Sequence, residues 1–266
     1  MKSKFLWAAP ILALGLLLAS FTLLKSPRKA KKTFVLVHGA WAGKYAWDKV
    51  KPLLEKDGNK VIVFDLPAHG DDQTPISQVT IDSYIKLVSD KINKEPGKVI
   101  LVGHSLAGMT ITQVAENIPD KLDKLVYLSA FLPQNGQFVL GMPDSQSLFG
   151  PNLILSADKA SATLPPAIAE KIFAPGTSPD IHKMVLAKQR PEPLQPFTAK
   201  AATTAANFGR VPKYYIETLQ DVGVGPKLQE QMIQANGQVV KVFKLDCGHD
   251  SYFAKPVELA AVLNGL

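Results

Sequence analysis

Short apolar runs alternate with longer segments of helical periodicity along most of this chain. Six runs rich in Val, Ile, Leu and Phe have the length of single strands, at residues 33–38, 60–65, 98–102, 124–129, 213–217 and 239–245. Runs that are apolar at nearly every position are typical of parallel strands covered on both faces. The pattern therefore predicts a mostly parallel, six-stranded sheet.

Segments with helical spacing of apolar residues lie between these runs. They cover residues 46–56, 81–94, 106–118, 226–235 and 256–263. Pro226 and Pro256 stand where the first turns of the last two helices would begin, which is a position that tolerates proline. Alternating strands and helices predict a parallel sheet flanked by helices, with right-handed crossover connections.

One long segment, residues 133–212, interrupts this alternation. It contains 11 of the 20 prolines and no strand candidate, yet it carries many large apolar side chains. A solvated loop of this length and polarity is uncommon. We therefore predict short helices that form a cap, approximately at residues 134–210, inserted before the last two strands.

The amino-terminal segment differs in composition from the rest. Residues 5–24 are 20 uncharged and mostly apolar positions, enough for a helix that crosses a bilayer. A basic start also fits a signal peptide, although no convincing small-residue cleavage site follows. We therefore expect residues 1–32 to be a membrane segment or signal sequence with a basic linker, followed by one domain at 33–266. This predicts an exported or membrane-anchored protein. The side of the membrane stays open, because the larger basic cluster follows the segment.

The formal net charge of +7 does not indicate a nucleic-acid partner. Residues 1–32 contain seven Lys or Arg and no acid, so the other 23 basic residues are balanced by 23 acidic ones in the remaining chain. Binding of a polyanion would need a basic patch on the folded domain itself. The single cysteine, Cys247, excludes an intramolecular disulfide and a cysteine-rich metal site, and we expect it to be a buried structural thiol.

The segment Gly103-His104-Ser105-Leu106-Ala107-Gly108 joins the third strand candidate to a helix. A serine on such a tight strand-to-helix turn, flanked by small residues, is the nucleophile elbow typical of α/β-hydrolases. The usual motif, Gly-x-Ser-x-Gly, would end at position 107, where this chain has alanine. Because alanine is nearly as small, we expect the turn to be retained and Ser105 to be the nucleophile.

A serine nucleophile needs a histidine base that is oriented by an acid. In this fold class the chain order is serine, acid, histidine. His249 is the one histidine of five that follows the last strand candidate, so it is the predicted base. Asp221, in the loop after the fifth strand, is favoured as the acid, and Glu217 remains the alternative. We expect Asp246 and Asp250 to be turn or surface residues.

The negative charge that develops on an attacked carbonyl oxygen needs fixed donors. In this fold class one donor is the backbone N–H after the nucleophile, here Leu106, and the second comes from the loop after the first strand of the domain. That loop reads Val37-His38-Gly39-Ala40-Trp41, and the N–H of Ala40 is the candidate.

The run FVLVHGAW at residues 34–41, the GHSL elbow and the Asp221 and His249 pair resemble the α/β-hydrolase family of plant methyl esterases, hydroxynitrile lyases and related bacterial esterases. The resemblance covers nearly all of residues 33–266 and is weakest in the cap. It implies a six-stranded parallel sheet, a cap after the fourth of these strands, and a site without cofactor or metal. Ser105, Asp221 and His249 match the triad of the family, and Ala40 and Leu106 match its oxyanion donors.

Two positions separate the branches of this family. Its hydroxynitrile lyases carry threonine where this chain has Gly39, and lysine where it has Asp250. Cyanohydrin cleavage needs a hydroxyl to hold the substrate and a cation near the departing cyanide, and this chain supplies neither at those positions. We therefore expect a serine esterase that acts on small to medium hydrophobic esters through an acyl-enzyme. The alternatives are a hydroxynitrile lyase, an acyltransferase and a binding protein of low turnover.

Overall fold

The computed structural model describes residues 31–266. Its main sheet consists of six parallel strands, β1 Thr33–Val37, β2 Lys60–Val63, β3 Val99–His104, β4 Leu122–Leu128, β8 Lys213–Thr218 and β9 Val239–Leu245. Their order across the sheet is β2-β1-β3-β4-β8-β9. Every residue of the central β3 is buried, whereas β9 at one edge is largely exposed or half-buried. The fold is that of an α/β-hydrolase, as predicted.

Helices flank this sheet or lie in the segment between its fourth and fifth strands, which we predicted to form a cap. The α-helices are α1 Val50–Lys56, α2 Ile81–Asn93, α3 Ala107–Asn117, α4 Phe149–Asn152, α5 Pro166–Phe173, α6 Pro179–Lys188, α7 Gln195–Thr198, α8 Pro226–Asn236, α9 Ser251–Ala254 and α10 Pro256–Asn264. Short 3₁₀ helices lie at Lys44–Trp47, Ile76–Gln78, Pro119–Lys121, Val139–Gly141 and Phe208–Arg210. Helix α2 begins at a capping box, in which Thr80 and Ser83 each bond the other's backbone N–H.

The six predicted strands are all present, with ends that differ by at most a few residues. The predicted helix at 46–56 is instead two elements, the 3₁₀ turn Lys44–Trp47 and α1. Pro52 provides the reason: a proline inside a longer helix would remove a backbone hydrogen bond and clash with the preceding turn, whereas the first turn of α1 accommodates it. Helix α9 was not predicted.

The segment between β4 and β8 contains α4, α5, α6 and α7, and also three short strands. These are β5 Ile154–Leu155, β6 Ser161–Thr163 and β7 Glu192–Pro193, which form an antiparallel sheet in the order β5-β6-β7. The expectation of a segment without strands was therefore wrong. Strands of two or three residues are shorter than the apolar runs by which a strand is recognised in a sequence.

Because all strands of the main sheet are parallel, their carboxyl ends meet at one edge. The loops that leave β1, β3, β8 and β9 at this edge carry Ala40, Ser105, Asp221 and His249, respectively. Sites of open α/β sheets lie at this edge. Within residues 31–266, no helix has the length and apolar character needed to cross a membrane. Residues 5–24, on which the membrane prediction rests, lie outside the described residues.

Candidate active site

Ser105 occupies the turn between β3 and α3 in a strained backbone conformation. Its φ is 54°, a left-handed value that costs a non-glycine residue about 1–2 kcal/mol. The backbone N–H of Ser105 donates to the carbonyl oxygen of Leu128 (3.2 Å), and its carbonyl accepts from the N–H of Phe131 (3.1 Å). These bonds to the end of β4 hold the turn, and with it the serine, at the carboxyl edge of the sheet.

The small residue that this turn requires is Gly108. A Cβ atom placed on Gly108 would lie 2.0 Å from the carbonyl oxygen of Phe131, which leaves no room for a side chain. Ala107 is almost fully buried and fits. The position without room for a side chain is therefore 108, one residue after the last glycine of the usual motif. This agrees with the expectation that alanine at position 107 is tolerated.

His249 and Asp221 form a fully buried pair. The Nδ1 atom of His249 lies 2.8 Å from Oδ2 of Asp221, and both side chains are 0 % exposed. A carboxylate only accepts hydrogen bonds, so this contact fixes the proton of the neutral imidazole on Nδ1. Nε2 is then the basic nitrogen, and it has no hydrogen-bond partner within residues 31–266.

The loop after β8 holds the Asp221 carboxylate from several sides. Its Oδ1 accepts the N–H groups of Gly223 (2.7 Å) and Val224 (3.0 Å). Its Oδ2 accepts the hydroxyl of Thr218 (2.8 Å) and the amide of Gln229 (3.3 Å) in addition to His249. Donors to both oxygens fix the position of this side chain. The carboxylate is therefore an oriented partner for the imidazole.

The surroundings of His249 act on its pKa in opposite directions. Burial disfavours the charged imidazolium, but the charge and hydrogen bond of Asp221 outweigh this effect and raise the pKa above its usual value of 6.5. The rings of Phe149 and Phe173 lie 5.9 Å and 6.2 Å from the imidazole, measured between ring centroids. The imidazole thus lies between the Asp221 carboxylate and two aromatic rings from α4 and α5.

The alternative acid, Glu217, is directed elsewhere. It lies on β8 opposite Lys244 of β9, and its carboxylate is 3.1 Å from the Lys244 ammonium. Asp246 is exposed and accepts a hydrogen bond from Gln220 (2.8 Å). Of the two candidates left open by the sequence, the structure brings Asp221 to His249 and keeps Glu217 away from it.

The expectation that Asp250 is a turn or surface residue was wrong. Its side chain is 4 % exposed, lies 3.5 Å from Nε2 of His104 and bonds to Tyr252. Burial raises the pKa of this carboxyl to about 7. The adjacent helix α9 covers the residue, because Tyr252 turns inward and packs on the rings of His104 and Trp47.

The two predicted oxyanion donors are unused. Within the described residues, neither the N–H of Ala40 nor that of Leu106 donates a hydrogen bond, and both residues are buried. The peptide that contains the Ala40 N–H is oriented from its other end, where the carbonyl oxygen of Gly39 lies 2.8 Å from Nδ1 of His38. Nε2 of His38 accepts the N–H of Leu66 (3.0 Å), so Nδ1 carries the proton and donates. Burial, helped by the neighbouring His69, lowers the pKa of His38 to about 3, which keeps it neutral.

An apolar cavity of about 100 Å³ lies beside these groups. Trp41 follows Ala40 and lines the cavity, and Phe149 lines it while packing against His249. Other lining residues are Phe131, Leu140, Met142 and Phe197, with Asp144 and Ser147 as polar neighbours. A small cavity with apolar walls accommodates a compact hydrophobic group.

A larger and more polar cleft, of about 420 Å³, lies between the 3₁₀ turn Lys44–Trp47 and the end of α6. Its charged lining residues carry both signs, with Lys44, Lys188 and Arg190 against Asp48, Asp65 and Asp71. Neither cavity is lined by Ser105, Asp221 or His249. Of the two, the smaller one is lined by Phe149, which packs on the His249 imidazole, and by Trp41, which follows Ala40, so we place the candidate site there.

One group of side chains in the described part of the chain is close enough to offer three ligand atoms to a metal ion. It consists of His104, His249 and Asp250, all buried, with ligand atoms within 4.8 Å of one another. Nε2 of His104 already lies 3.2 Å from the backbone oxygen of His249. Cys247 does not join this group; it is buried, as expected, and burial raises the pKa of its thiol to about 12.

Several residues that shape the site were missed from the sequence. His38 orients the Ala40 peptide, and Thr218 and Gln229 hold the Asp221 carboxylate. Glu192 of β7 contacts the loop of Ala40 through Trp41. The His-Gly pair before Ala40 is a local pattern that could have pointed to His38. Glu192 lies 151 residues after Trp41, and no pattern in the sequence relates the two.

The chain is similar to known proteins both in sequence and in structure. Residues 34–262 match the sequence profile described as "Alpha/beta hydrolase family". The chain is 34 % identical to putative methylesterase 11, chloroplastic, of Arabidopsis thaliana over 86 % of its own length, and it spans 62 % of that protein's length. It is 31 % identical to salicylic acid-binding protein 2 of Nicotiana tabacum, covering 88 % of this chain and 96 % of that one. The crystal structure of polyneuridine aldehyde esterase superimposes with a TM-score of 0.78 at 25 % identity, covering 88 % of this chain and 98 % of the other.

These findings correct the prediction of an exported or membrane-anchored protein. The Arabidopsis relative is named a putative methylesterase and described as chloroplastic, so the similarity gives no support to secretion or anchoring. The described residues, 31–266, contain no helix that could span a membrane. The apolar segment 5–24 by itself was an insufficient basis for that prediction.

Proposed function

The chain belongs to the alpha/beta hydrolase family, and from this membership we propose that it is a serine hydrolase that cleaves carboxylic esters through an acyl-enzyme intermediate. Ester hydrolysis is the activity for which its Arabidopsis relative, putative methylesterase 11, is named. The observation that carries the proposal is the buried contact of 2.8 Å between His249 Nδ1 and Asp221 Oδ2, which leaves the opposite imidazole nitrogen as an unpaired base. In this proposal residues 33–266 are the catalytic domain, and residues 134–210 are its cap.

Ser105 attacks the ester carbonyl in the first step, and Nε2 of His249 takes the hydroxyl proton. Asp221 keeps the imidazole in the required tautomer and stabilises the imidazolium that forms. His249 then gives the proton to the departing alcohol. Water, activated by the same nitrogen, hydrolyses the acyl group from Ser105 and restores the enzyme. In structures without substrate the contact of serine and base is often long, and it shortens when substrate binds.

The N–H groups of Ala40 and Leu106 hold the oxyanion. Both are free to donate in the described structure, and Leu106 stands at the amino-terminal end of α3, where the helix dipole favours negative charge. Donors that are already oriented stabilise the transition state more than the ground state. These groups and the triad need no cofactor or metal.

The substrate is a small to medium hydrophobic ester. The walls of the adjoining cavity come from Trp41, Phe131, Phe149 and Phe197, and its volume of about 100 Å³ fits one compact acyl or alkoxy group. Among residues 31–266, no lysine or arginine lines this cavity, so a charged acid group is a poor fit there.

The environment of Gly39 favours an esterase over a hydroxynitrile lyase. A Cβ on Gly39 would lie 2.8 Å from both Cβ of Ser105 and Nδ1 of His104. The threonine that lyases of this family carry at this position therefore does not fit here without movement. Asp250 is not a lining residue of the cavity and cannot replace the lysine of the lyases.

Hydrolysis of p-nitrophenyl acetate and butyrate by the purified full-length protein tests the proposal. We expect a pre-steady-state burst of p-nitrophenol that matches the enzyme concentration, and its loss in Ser105→Ala. A fluorophosphonate should label Ser105 of the wild type stoichiometrically. Activity that survives in Ser105→Ala would overturn the proposal.

Two further measurements separate the remaining alternatives. An acyltransferase would transfer the acyl group to an added alcohol in preference to water, which product analysis detects. A binding protein of low turnover would be labelled slowly at Ser105 and would show no burst.

A further inference from the structure

A fully buried carboxylate of the cap contacts the loop that carries the oxyanion donor. Glu192 lies on β7 and is 0 % exposed. One of its oxygens, Oε2, accepts the backbone N–H of Trp41 (2.6 Å) and lies 2.8 Å from Nε2 of His69. Trp41 follows Ala40 directly, so the carboxylate binds the peptide next to the oxyanion donor.

His69 serves as the counter-ion of this carboxylate. A charge without a partner is very unfavourable in the protein interior, so a buried carboxylate requires one. Burial opposes protonation of His69, but the charge of Glu192 outweighs it and raises the pKa of the imidazole. The His69 ring also lies 5.0 Å from that of His38, which orients the Gly39 carbonyl. The Glu192 and His69 pair is therefore packed directly behind the oxyanion loop.

Several contacts from the cap hold Trp41 in place. Its φ of 55° is a left-handed value that a bulky residue adopts only under constraint. Besides the Glu192 contact, its indole N–H donates to the carbonyl oxygen of Ala162 on β6 (3.3 Å). Its ring packs on Phe149, Phe173 and Phe197, which also belong to the cap. The conformation of the loop thus depends on the docked cap.

We propose that Glu192 is a positioning residue of the oxyanion hole: by binding the Trp41 N–H from the cap, it fixes the adjacent Ala40 N–H in its catalytic orientation. This inference rests on the proposed function, in which Ala40 is an oxyanion donor. Because of this contact, the oxyanion hole is complete only when the cap is docked on the rest of the domain. Glu192 does not touch the substrate, and it acts through the loop.

Replacement of Glu192 by alanine removes the acceptor of the Trp41 N–H. We expect kcat of Glu192→Ala to fall about 10- to 100-fold, which is less than the loss of a whole oxyanion donor, with KM changed less than about threefold. Affinity for a trifluoromethyl ketone, which forms an oxyanion adduct with Ser105, should fall by a similar factor. The carboxylic acid product, which needs no oxyanion hole, should bind as before. Glu192→Gln keeps an acceptor oxygen and should lose only about 3- to 10-fold in kcat.

Gln195→Ala is the matched control, because it breaks another contact between cap and core. The Gln195 side chain accepts the N–H of Ile81 (2.6 Å) at the start of α2, away from the oxyanion loop. We expect kcat and inhibitor affinity of this variant to equal those of the wild type.

All rates are expressed per active site, counted by fluorophosphonate labelling, so that a loss of folded protein is not mistaken for a loss of kcat. The inference is overturned if kcat and trifluoromethyl ketone affinity of Glu192→Ala are unchanged, or if Gln195→Ala loses as much. If Glu192→Ala does not fold, Glu192→Gln decides by the same two measurements. Failure of the proposed function is a separate result: a wild type whose ester hydrolysis does not depend on Ser105.

Discussion

The Nδ1–H of His249 donates to Oδ2 of Asp221 across 2.8 Å, although the two residues lie 28 positions apart on the loops after β9 and β8. The same oxygen accepts the Thr218 hydroxyl, and the other oxygen accepts two backbone N–H groups. The carboxylate therefore cannot turn away from the imidazole without losing several hydrogen bonds. This rigidity makes Asp221 the group that sets both the tautomer and the basicity of His249.

Replacement of Asp221 by asparagine should lower kcat by about 10³- to 10⁴-fold. An amide can donate to Nδ1, which moves the imidazole proton to Nε2 and removes the base. Steady-state hydrolysis of p-nitrophenyl acetate measures the effect. Glu217→Gln is the matched control: it breaks only the ion pair with Lys244 and should keep kcat within about twofold. If Glu217→Gln lost activity and Asp221→Asn did not, the acid would be Glu217.

The pH profile of kcat/KM should show an acid limb that belongs to His249. Only the neutral imidazole accepts the serine proton, so activity falls as pH decreases through its pKa. Burial lowers that pKa, but Asp221 outweighs the effect, and the half-maximal point should therefore lie above pH 6.5. A series of rate measurements between pH 4 and pH 9 tests this. A flat profile between pH 5 and pH 8 would contradict the role of His249 as base.

The strands and the strand-to-helix turn at Ser105 were predictable because their patterns are local. A run such as 98–102 is apolar at every position and is followed at once by the small residues around Ser105. No local pattern decides between Glu217 and Asp221. Glu217 is engaged by Lys244, and the two residues lie side by side because β8 pairs with β9. The wrong interpretation of Asp250 has a similar cause, since its burial comes from Tyr252 and His104 in the folded chain.

The buried carboxyl of Asp250 should make the protein less stable as pH rises. Its pKa is about 7 in the folded state because of burial, against an ordinary value of 3.8. Between these values the folded protein holds a proton that the unfolded chain has released, so the free energy of unfolding falls as pH rises through about 7. The contribution lost is about 4 kcal/mol at most.

Asp250→Asn removes this titration while retaining the shape of the side chain. Urea unfolding at pH 4.5 and pH 7.5 should therefore show a change in the free energy of unfolding that is more negative for the wild type than for the variant, whatever the buried histidines add to both proteins. Equal changes in the two proteins would mean that the Asp250 carboxyl is already ionised at low pH in the folded state.

Gly108→Ala should destabilise the fold severely, whereas Ala107→Gly should be tolerated. The new methyl group at position 108 would lie 2.0 Å from the Phe131 carbonyl oxygen, which is a backbone atom and cannot move aside as a side chain can. The chain after β4 would have to shift, and it is the same chain that accepts and donates the hydrogen bonds of Ser105. We expect a loss of about 3 kcal/mol or more in the free energy of unfolding, measured by urea denaturation.

Ala107→Gly only removes a methyl group at the start of α3 and should lower the free energy of unfolding by about 1 kcal/mol. Because the elbow keeps its geometry in Ala107→Gly, the kcat of this variant should stay near that of the wild type. If the substitution at position 107 caused a large loss of stability and the one at position 108 caused none, helix α3 would contact the chain after β4 at Ala107 instead.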